Sequence, residues 1–500
     1  MNEKEYQSRI AELEALLEEK SARIAYLEEQ FRVAQHKQFG KSTEGHPGQG
    51  ELFNEAEELV VEAEAETAEE AISYTRKKPT RKPLPKDLPR EVIVHDISDE
   101  DKVCDCCASE LHRIGEDKSE KLQFIPAQVK VIEHVRPKYA CRTCEKDGIS
   151  NKVKQAPVPH SVIPKGYATP SLLAQIITSK YQYGLPLYRQ ESMFKQHGIE
   201  LSRKTMADWI IRCAELFKPL YGQLHQHLLK QPVIAADETT LKVVESEKVN
   251  SYMWLYASGA DSPAGNIPGT KTPNIVLYDY HNSRAGQCAV DFLNGYNGYL
   301  QVDGYQGYEQ TQATLIGCWA HARRKFMEAK KGAGKKGSGK ADWALNHIQK
   351  LYRIETQLKD KTVEVRYLTR QEKSLSLLNQ LHTWLEKSVQ QVLPKTKLGE
   401  AIQYCLNQWE KLVRYILDGQ LKIDNNRAER AIKPFVIGRK NWLFSQTATG
   451  ANASAVLYSI IETAKANDLN VFEYVMSCLD VLSKPDVEIE QLLPWQFAKR

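Results

Sequence analysis

Three acidic residues in this chain of 500 residues stand where carboxylates commonly hold metal ions. Asp237 and Asp303 each follow a short apolar run of the kind that forms a buried strand. Glu429 lies in residues 424–432, which are typical of the start of a helix capped by Asp or Asn. Burying a lone carboxylate is costly, so such groups are usually exposed, paired or bound to metal. Two Mg²⁺ or Mn²⁺ ions held by three such carboxylates would support phosphoryl transfer.

A second set of candidate metal ligands consists of two Cys-x-x-Cys pairs. Its members are Cys104, Cys107, Cys141 and Cys144. Four thiolates at this spacing can hold one Zn²⁺ in tetrahedral geometry. Residues 128–135 alternate between apolar and polar side chains, a pattern that suits the strands of a zinc ribbon. A redox pair or isolated buried thiols are the alternatives, and Cys106 could replace a neighbour as a ligand.

The two aspartates require a sheet that brings the ends of their strands together. Strands are predicted at residues 232–236, 241–245, 252–257, 274–280, 299–303 and 314–318, with helices near 284–293 and from 319 onward. Interpreted as three strands followed by alternating helices and strands, this order is typical of a ribonuclease-H-like α/β core. In that fold the first strand and the fourth strand are neighbours. We assign these positions to the strands that end at Asp237 and Asp303, so the two aspartates can share metal ions. Glu238 would point to the opposite face of its strand, which makes it a poor substitute for Asp237. Asp279, near a strand end, is the carboxylate most easily mistaken for a ligand.

A helix-turn-helix is predicted before the strands. Its first helix, residues 187–198, ends at a glycine, and Ser202 caps a second helix over residues 203–212. The exposed start of the second helix offers Arg203, Lys204 and Thr205 to DNA. Met206, Trp209 and Ile210 would face inward. A plain helical hairpin would show the same pattern.

The N-terminal residues predict self-association. Ile10, Leu17, Ile24 and Phe31 are spaced by sevens, which is typical of a short coiled coil with Lys20 as a polar interruption. The alternative is an amphipathic helix packed on its own domain. The linker that follows is acidic at 51–72 and basic and proline-rich at 73–90, a composition typical of disorder.

Composition excludes some classes of protein. No apolar run approaches the roughly 20 residues needed to span a bilayer, so no membrane partner is expected. The first residues are not expected to form a signal peptide, because no apolar segment follows them, and ten cysteines in a chain of this size do not indicate a secreted disulfide scaffold. A cytoplasmic protein is therefore expected. The net charge of +4 is too small to indicate nucleic acid by itself.

Several of these motifs together closely resemble the transposases of the insertion sequence 66 family, which belong to the DDE class. The resemblance runs nearly end to end and is carried by residues 39–44, 104–107, 114–117, 135–141, 236–239, 303–305, 318–321, 424–432 and 438–442. Residues 424–432 (DNNRAERAI) with 438–442 (GRKNW) are the most specific part. Cys106 departs from the family pattern, which leaves the second zinc ligand open.

The resemblance implies a role for each candidate residue. Asp237, Asp303 and Glu429 would be the catalytic ligands of two Mg²⁺ (or Mn²⁺), and the four cysteines would hold Zn²⁺. Independently of the resemblance, Arg439 and Lys440 stand among aromatic residues in a mixture typical of a DNA-facing surface, and they join Arg203, Lys204 and Thr205 as candidate DNA-binding residues. The substrate would be double-stranded DNA, as transposon terminal inverted repeats and target DNA, which the protein nicks and joins.

The implied organisation is a multidomain α+β protein, acting as a homodimer or higher oligomer near the bacterial nucleoid, with possible accessory proteins from the element. Its segments are a coiled coil at 1–45, a charged linker at 46–95, a zinc module at 96–150, a helix-turn-helix region at 165–228, a catalytic core at 229–452 with a helical insertion at 330–420, and a C-terminal helical segment at 453–500. The alternatives are a zinc-containing sequence-specific DNA-binding protein without catalysis and a ribonuclease-H-like nuclease without strand transfer.

Overall fold

The computed structural model describes Lys20, Arg23, Ile24, Leu27 and residues 91–92, 129–139, 154–248, 250–333 and 339–498. The chain divides into two compact units, one of residues 70–156 and one of residues 1–69 with 157–500. The zinc-ligand cysteines and Cys106 lie outside the described residues, as do nearly all of the coiled coil and linker. In the smaller unit, Lys138–Tyr139 pairs antiparallel with Lys154–Gln155. No helix among the described residues combines the length and apolar character needed to cross a membrane.

Within the described residues 154–230, three helices lead into the sheet: α1 (Pro170–Tyr181), α2 (Leu187–Gln196) and α3 (Arg203–Leu229). The Ser202 hydroxyl caps α3 by accepting a hydrogen bond from the Thr205 backbone N–H at 3.1 Å. The inward face predicted for its first turns is buried, at Met206, Trp209 and Ile210. The predicted end at residue 212 is wrong, because the apolar spacing continues along a helix of 27 residues and buries its later turns in the same core.

The sheet has five strands: β1 (Val233–Leu241), β2 (Ser251–Ser258), β3 (Ile275–His281), β4 (Tyr299–Gln301) and β5 (Thr314–Ile316). Helix α4 (Gly286–Phe292) joins β3 to β4, and a 3₁₀ turn at Gln306–Gln310 joins β4 to β5. The strand order is β3-β2-β1-β4-β5, antiparallel among the first three and parallel from β1 to β5. The separate strand predicted at 241–245 is wrong: β1 runs on to Leu241, and a turn rich in charged residues leads into β2.

A helical region with its own apolar core follows β5. It comprises α5 (Trp319–Ala333), α6 (Gly339–Gln357), α7 (Val363–Thr369), α8 (Leu375–Val389), α9 (Lys397–Asn407) and α10 (Trp409–Val413). A buried ion cluster ties it together, because Arg370 donates to both carboxylate oxygens of Glu355, at 2.8 and 2.6 Å. Arg370 also donates to the backbone carbonyls of Tyr415, Asp418 and Leu421. Arg366 joins the same carboxylate at 3.5 Å.

The remaining helices complete the main core: α11 (Asn426–Trp442), α12 (Ala448–Ala466), α13 (Val471–Leu482) and α14 (Pro494–Phe497). Helix α12 runs through the predicted division at 452/453 and packs on the sheet. Its hydroxyls bond the backbone of edge strand β3: Thr463 accepts from the Val276 N–H at 3.0 Å and donates to the Val276 carbonyl at 2.9 Å. Ser459 accepts from the Tyr278 N–H at 2.7 Å. The mixed sheet, packed on helices, makes this an α+β protein.

Candidate active site

The sheet register brings Asp237 and Asp303 to the same level. The last paired residues of β1 and β4 are Ala235 and Gln301, and each aspartate stands two residues beyond its member of this pair. Neighbouring parallel strands lie about 4.8 Å apart, and side chains two residues apart share a face of the sheet. The two carboxylates therefore occupy one edge of the sheet.

Glu429 joins them from the first turn of α11. Burial raises the pKa of Asp237 well above its ordinary value, and the charges of Glu238, Asp303 and Glu429 raise it further. Burial also raises the pKa of Glu429 to about 7; Arg324 opposes this rise, whereas Asp424 and Asp303 add to it. The three predicted acids therefore interact electrostatically in one partly buried site, although 192 residues (429 − 237) separate the first from the last.

Asn425 places Glu429 against the sheet. Its side-chain N–H donates to the Ala236 carbonyl at 2.8 Å, one residue before Asp237. Its backbone carbonyl accepts from the Glu429 N–H at 3.2 Å. The sequence predicted an Asp or Asn cap, yet Asn425 makes no side-chain bond to its own helix. Asp424 instead accepts from the Asn426 N–H at 3.2 Å, which leaves the Asn425 side chain to bind the strand.

The loop after β4 fixes Asp303. Its carboxylate accepts a hydrogen bond from the Tyr305 N–H at 2.9 Å. Its backbone carbonyl accepts from the hydroxyl of Tyr404, in α9, at 2.8 Å. Gly304, between Asp303 and Tyr305, has a φ of +108°, a backbone conformation that residues other than glycine rarely adopt. The helical insertion therefore helps to position the second aspartate.

The two competing carboxylates have other partners. Glu238 accepts hydrogen bonds from Arg284 and from the Tyr308 hydroxyl at 2.7 Å, and only 2% of its side chain is exposed. Burial and then the charge of Asp303 raise its pKa, so Glu238 lies near the site but is held in an ion pair. Asp279 lies 2.7 Å from the His281 Nε2 and is paired with that ring.

His321 is a site residue that was not among the sequence-predicted candidates. Its Nδ1 lies 3.5 Å from Glu429 Oε1. Together with Cys318, these residues place one potential ligand atom each within 4.8 Å of the others. Burial, followed by Arg324, lowers the pKa of His321 to about 4, so the ring is neutral. The Cys-x-x-His spacing at the start of a helix was the signal that could have identified it.

The site has the character of a cation-binding centre. Among the described residues, the buried polar atoms without a hydrogen-bond partner include His321 Nδ1, Glu429 Oε1 and Asn425 Oδ1. Buried polar atoms are seldom left unpaired, so three of them together indicate a missing partner. Carboxylate, amide and imidazole atoms are all donors to divalent cations. The residues present therefore fit the expected metal ions.

The predicted DNA-binding residues lie at two separate places. Arg203 and Lys204 are exposed at the start of α3, and Thr205 is half-buried beside Ser202. Arg439 donates to the Thr239 and Thr240 hydroxyls, at 3.1 and 3.3 Å, and so ties α11 to β1. Lys440 is exposed on α11.

A basic groove also runs along α11, between that helix and the turn after α1. Its volume is about 310 Å³, and its polar and aromatic lining includes Gln182, Tyr183, Arg430, Lys433, Asn441 and Lys465. Two of its cations have partners outside the groove, because Arg430 pairs with Asp261 at 2.6 Å and Lys465 with Glu462 at 2.9 Å. Tyr183 is 73% exposed and offers an accessible ring face. Cations around an exposed aromatic ring suit a nucleic-acid strand.

Comparison with known proteins gives matches along most of the chain. The model "Transposase IS66 family" matches residues 165–453, and "zinc-finger binding domain of transposase IS66" matches 101–145. "Transposase C of IS166 homeodomain" matches 26–93, and "IS66 C-terminal element" matches 459–495.

Similar proteins, each described as uncharacterized, occur in Sinorhizobium fredii (strain NBRC 101917 / NGR234). Protein y4hP is 34% identical over 471 residues, which cover 90% of this chain and 83% of that protein. Protein y4qI is 33% identical over 514 aligned positions, which cover 98% of this chain and 92% of that protein. The family model spans more than half of the chain and these relatives align over most of their own length, and so this chain belongs to the IS66 transposase family.

Proposed function

We propose that the protein is a DDE transposase that binds transposon ends, nicks them and joins the freed 3′ end to target DNA. The observation that carries this proposal is geometric: the register of β1 and β4 sets Asp237 and Asp303 at the same level, and Asn425 ties the start of the Glu429 helix to the residue before Asp237. The strand order β3-β2-β1-β4-β5, with β1, β4 and β5 parallel, supports a ribonuclease-H-like core. Membership of a transposase family supports DNA as the substrate.

The chain's own residues bind and orient the reactants. The three carboxylates would hold two Mg²⁺ or Mn²⁺, which supply activation of the attacking oxygen and stabilisation of the leaving oxygen. Asn425 helps to position Glu429 and Tyr404 helps to position Asp303, each through a hydrogen bond to a backbone carbonyl. Because the attacking oxygen would come from water or from a 3′-hydroxyl, no covalent protein–DNA intermediate forms and no serine or tyrosine nucleophile is required.

The DNA path follows from the charged surfaces. The basic groove along α11 would carry the strand that reacts. Its phosphates would compete with Asp261 and Glu462 for Arg430 and Lys465, and Tyr183 can stack on a base. The exposed start of α3, with Arg203 and Lys204, would enter the major groove of the transposon end. Zinc binding by the four cysteines, self-association through residues 1–45 and the six-segment organisation remain predictions, because they depend largely on residues outside the described part of the chain.

The test is nicking and joining of labelled DNA that carries transposon ends, with Mg²⁺ or Mn²⁺. Asp237→Asn, Asp303→Asn and Glu429→Gln each keep the side-chain shape and remove a charge, so both steps should be lost while end binding remains. Asp279→Asn is the matched control, because Asp279 lies in the same sheet but pairs with His281.

Two outcomes would contradict the proposal. Nicking without joining by the wild-type protein would indicate a nuclease of the same fold. End binding without either reaction, whatever the metal, would indicate a DNA-binding protein that lacks catalysis.

A further inference from the structure

We propose that His321 is a direct ligand of the cation held by Glu429, so that one of the two cation positions has a nitrogen donor. This inference rests on the proposed function, since it concerns the same metal centre. It adds a fourth metal ligand, from α5, to the three carboxylates.

The separation of the two donor atoms fits a shared ion. Two ligands about 2.1 Å from one cation, at an angle of roughly 90–110°, are about 3.0–3.5 Å apart. The distance from His321 Nδ1 to Glu429 Oε1 is 3.5 Å. Neither atom has a hydrogen-bond partner among the described residues, so both are available to a cation.

The backbone holds these donors together. Helix α5 begins at Trp319 and α11 at Asn426, so both donors lie in first turns. The Trp319 N–H donates to the Ile423 carbonyl at 3.1 Å, which joins the segments that precede the two helices. The Asn425 N–H donates to Cys318 Sγ at 3.2 Å, which joins them again. The arrangement is therefore built before any ion binds.

Cys318 has a structural role in this arrangement. Its sulfur already accepts the Asn425 N–H, and the residue is fully buried. It therefore keeps Asn425 and His321 in register, and the cation receives oxygen and nitrogen donors. Its place next to the metal centre explains why the sequence pairs a cysteine with a histidine three residues later.

An imidazole ligand changes which ion is preferred. Mg²⁺ favours oxygen donors, whereas imidazole suits first-row transition metals, and Mn²⁺ accepts both. We therefore expect the site to hold Mn²⁺ more tightly than Mg²⁺. Loss of the ring should weaken Mn²⁺ binding by about tenfold and Mg²⁺ binding by less.

The experiment uses the full-length, zinc-loaded protein without a histidine tag and substoichiometric Mn²⁺. Pulsed electron paramagnetic resonance should detect coupling of Mn²⁺ to ¹⁴N in the wild-type protein. The coupling should vanish in His321→Ala and His321→Asn. His281→Ala is the matched control and should keep it, because His281 pairs with Asp279 elsewhere in the sheet.

The outcomes separate this inference from the proposed function. Mn²⁺ that binds without nitrogen coupling, or coupling that persists in both His321 variants, would overturn the inference alone. Failure to bind Mn²⁺ or Mg²⁺ at all would overturn the proposed function as well. His321→Asn keeps a polar side chain of similar size, so a folding defect in His321→Ala leaves the test intact; thermal unfolding measured by circular dichroism checks both.

Discussion

At the residue scale, Asn425 connects the strand of Asp237 to the helix of Glu429. Its side chain donates to the backbone of β1, and its backbone precedes the first residue of α11. Asn425→Ala should let α11 move and reduce nicking and joining by about 10- to 100-fold, with end binding retained. The rates of nicking and joining, measured in parallel with the affinity for transposon ends, would check this.

Asn452→Ala is the control, because Asn452 is exposed and its side chain bonds the Ala448 carbonyl within the first turn of α12. Equal rates for both variants would show that Asn425 does not position Glu429.

The raised pKa of Glu429 predicts how the metal-free protein responds to pH. Its pKa of about 7 in the folded protein exceeds the ordinary 4.5, so folding favours the protonated form. The contribution of protonated Glu429 to the free energy of unfolding is fully present below about pH 4.5. It is lost as the pH rises through 7, and the loss is about 3 kcal/mol.

Urea titrations of wild-type and Glu429→Gln protein, both in chelator, would test this across that pH range. The variant should lose less stability as the pH rises, because its amide does not ionise. A variant that loses as much as the wild type would show that another group causes the pH dependence.

At the element scale, α3 combines a buried face with an exposed, basic start. Arg203→Ala with Lys204→Ala should weaken end binding and lower the slope of log affinity against log salt by about one for each phosphate that no longer pairs with a cation. Fluorescence anisotropy at several salt concentrations would measure both. Lys218→Ala, on the same helix, is the control, because Lys218 is engaged with Glu215 at 2.7 Å. Unchanged affinity and slope would assign recognition to the zinc module or the linker.

Sequence patterns predicted the elements whose signals are local. The apolar runs before Asp237 and Asp303 became β1 and β4, and the segment at 424–432 became the start of α11. The strand at 241–245 and the end of α3 were misplaced, because tertiary packing decides where a pattern stops. His321 escaped notice because its partner, Glu429, is 108 residues away (429 − 321), and only the fold brings the two together.

At the scale of the whole molecule, the helical insertion depends on charges that are nearly sealed from water. Arg370 is fully buried, and Glu355 is 11% exposed. Glu355→Ala would leave Arg370 and Arg366 without their counter-ion, and should lower the free energy of unfolding by about 3–5 kcal/mol. Chemical denaturation would measure it. Glu372→Ala is the control, because Glu372 is exposed on the segment just after Arg370. A loss no larger than in the control would mean that water reaches the cluster.

The hydroxyls of α12 that cover the backbone of β3 also have a consequence for synthesis on the ribosome. The paired residues Val276 and Thr463 are 187 positions apart. At about 5–20 residues per second, roughly 10–40 s pass between their emergence. During that interval the nascent chain presents an open strand edge that can pair with other chains. Translation speed and chaperone capture would therefore govern the yield of native protein, because the strand edge stays open until α12 has been synthesised.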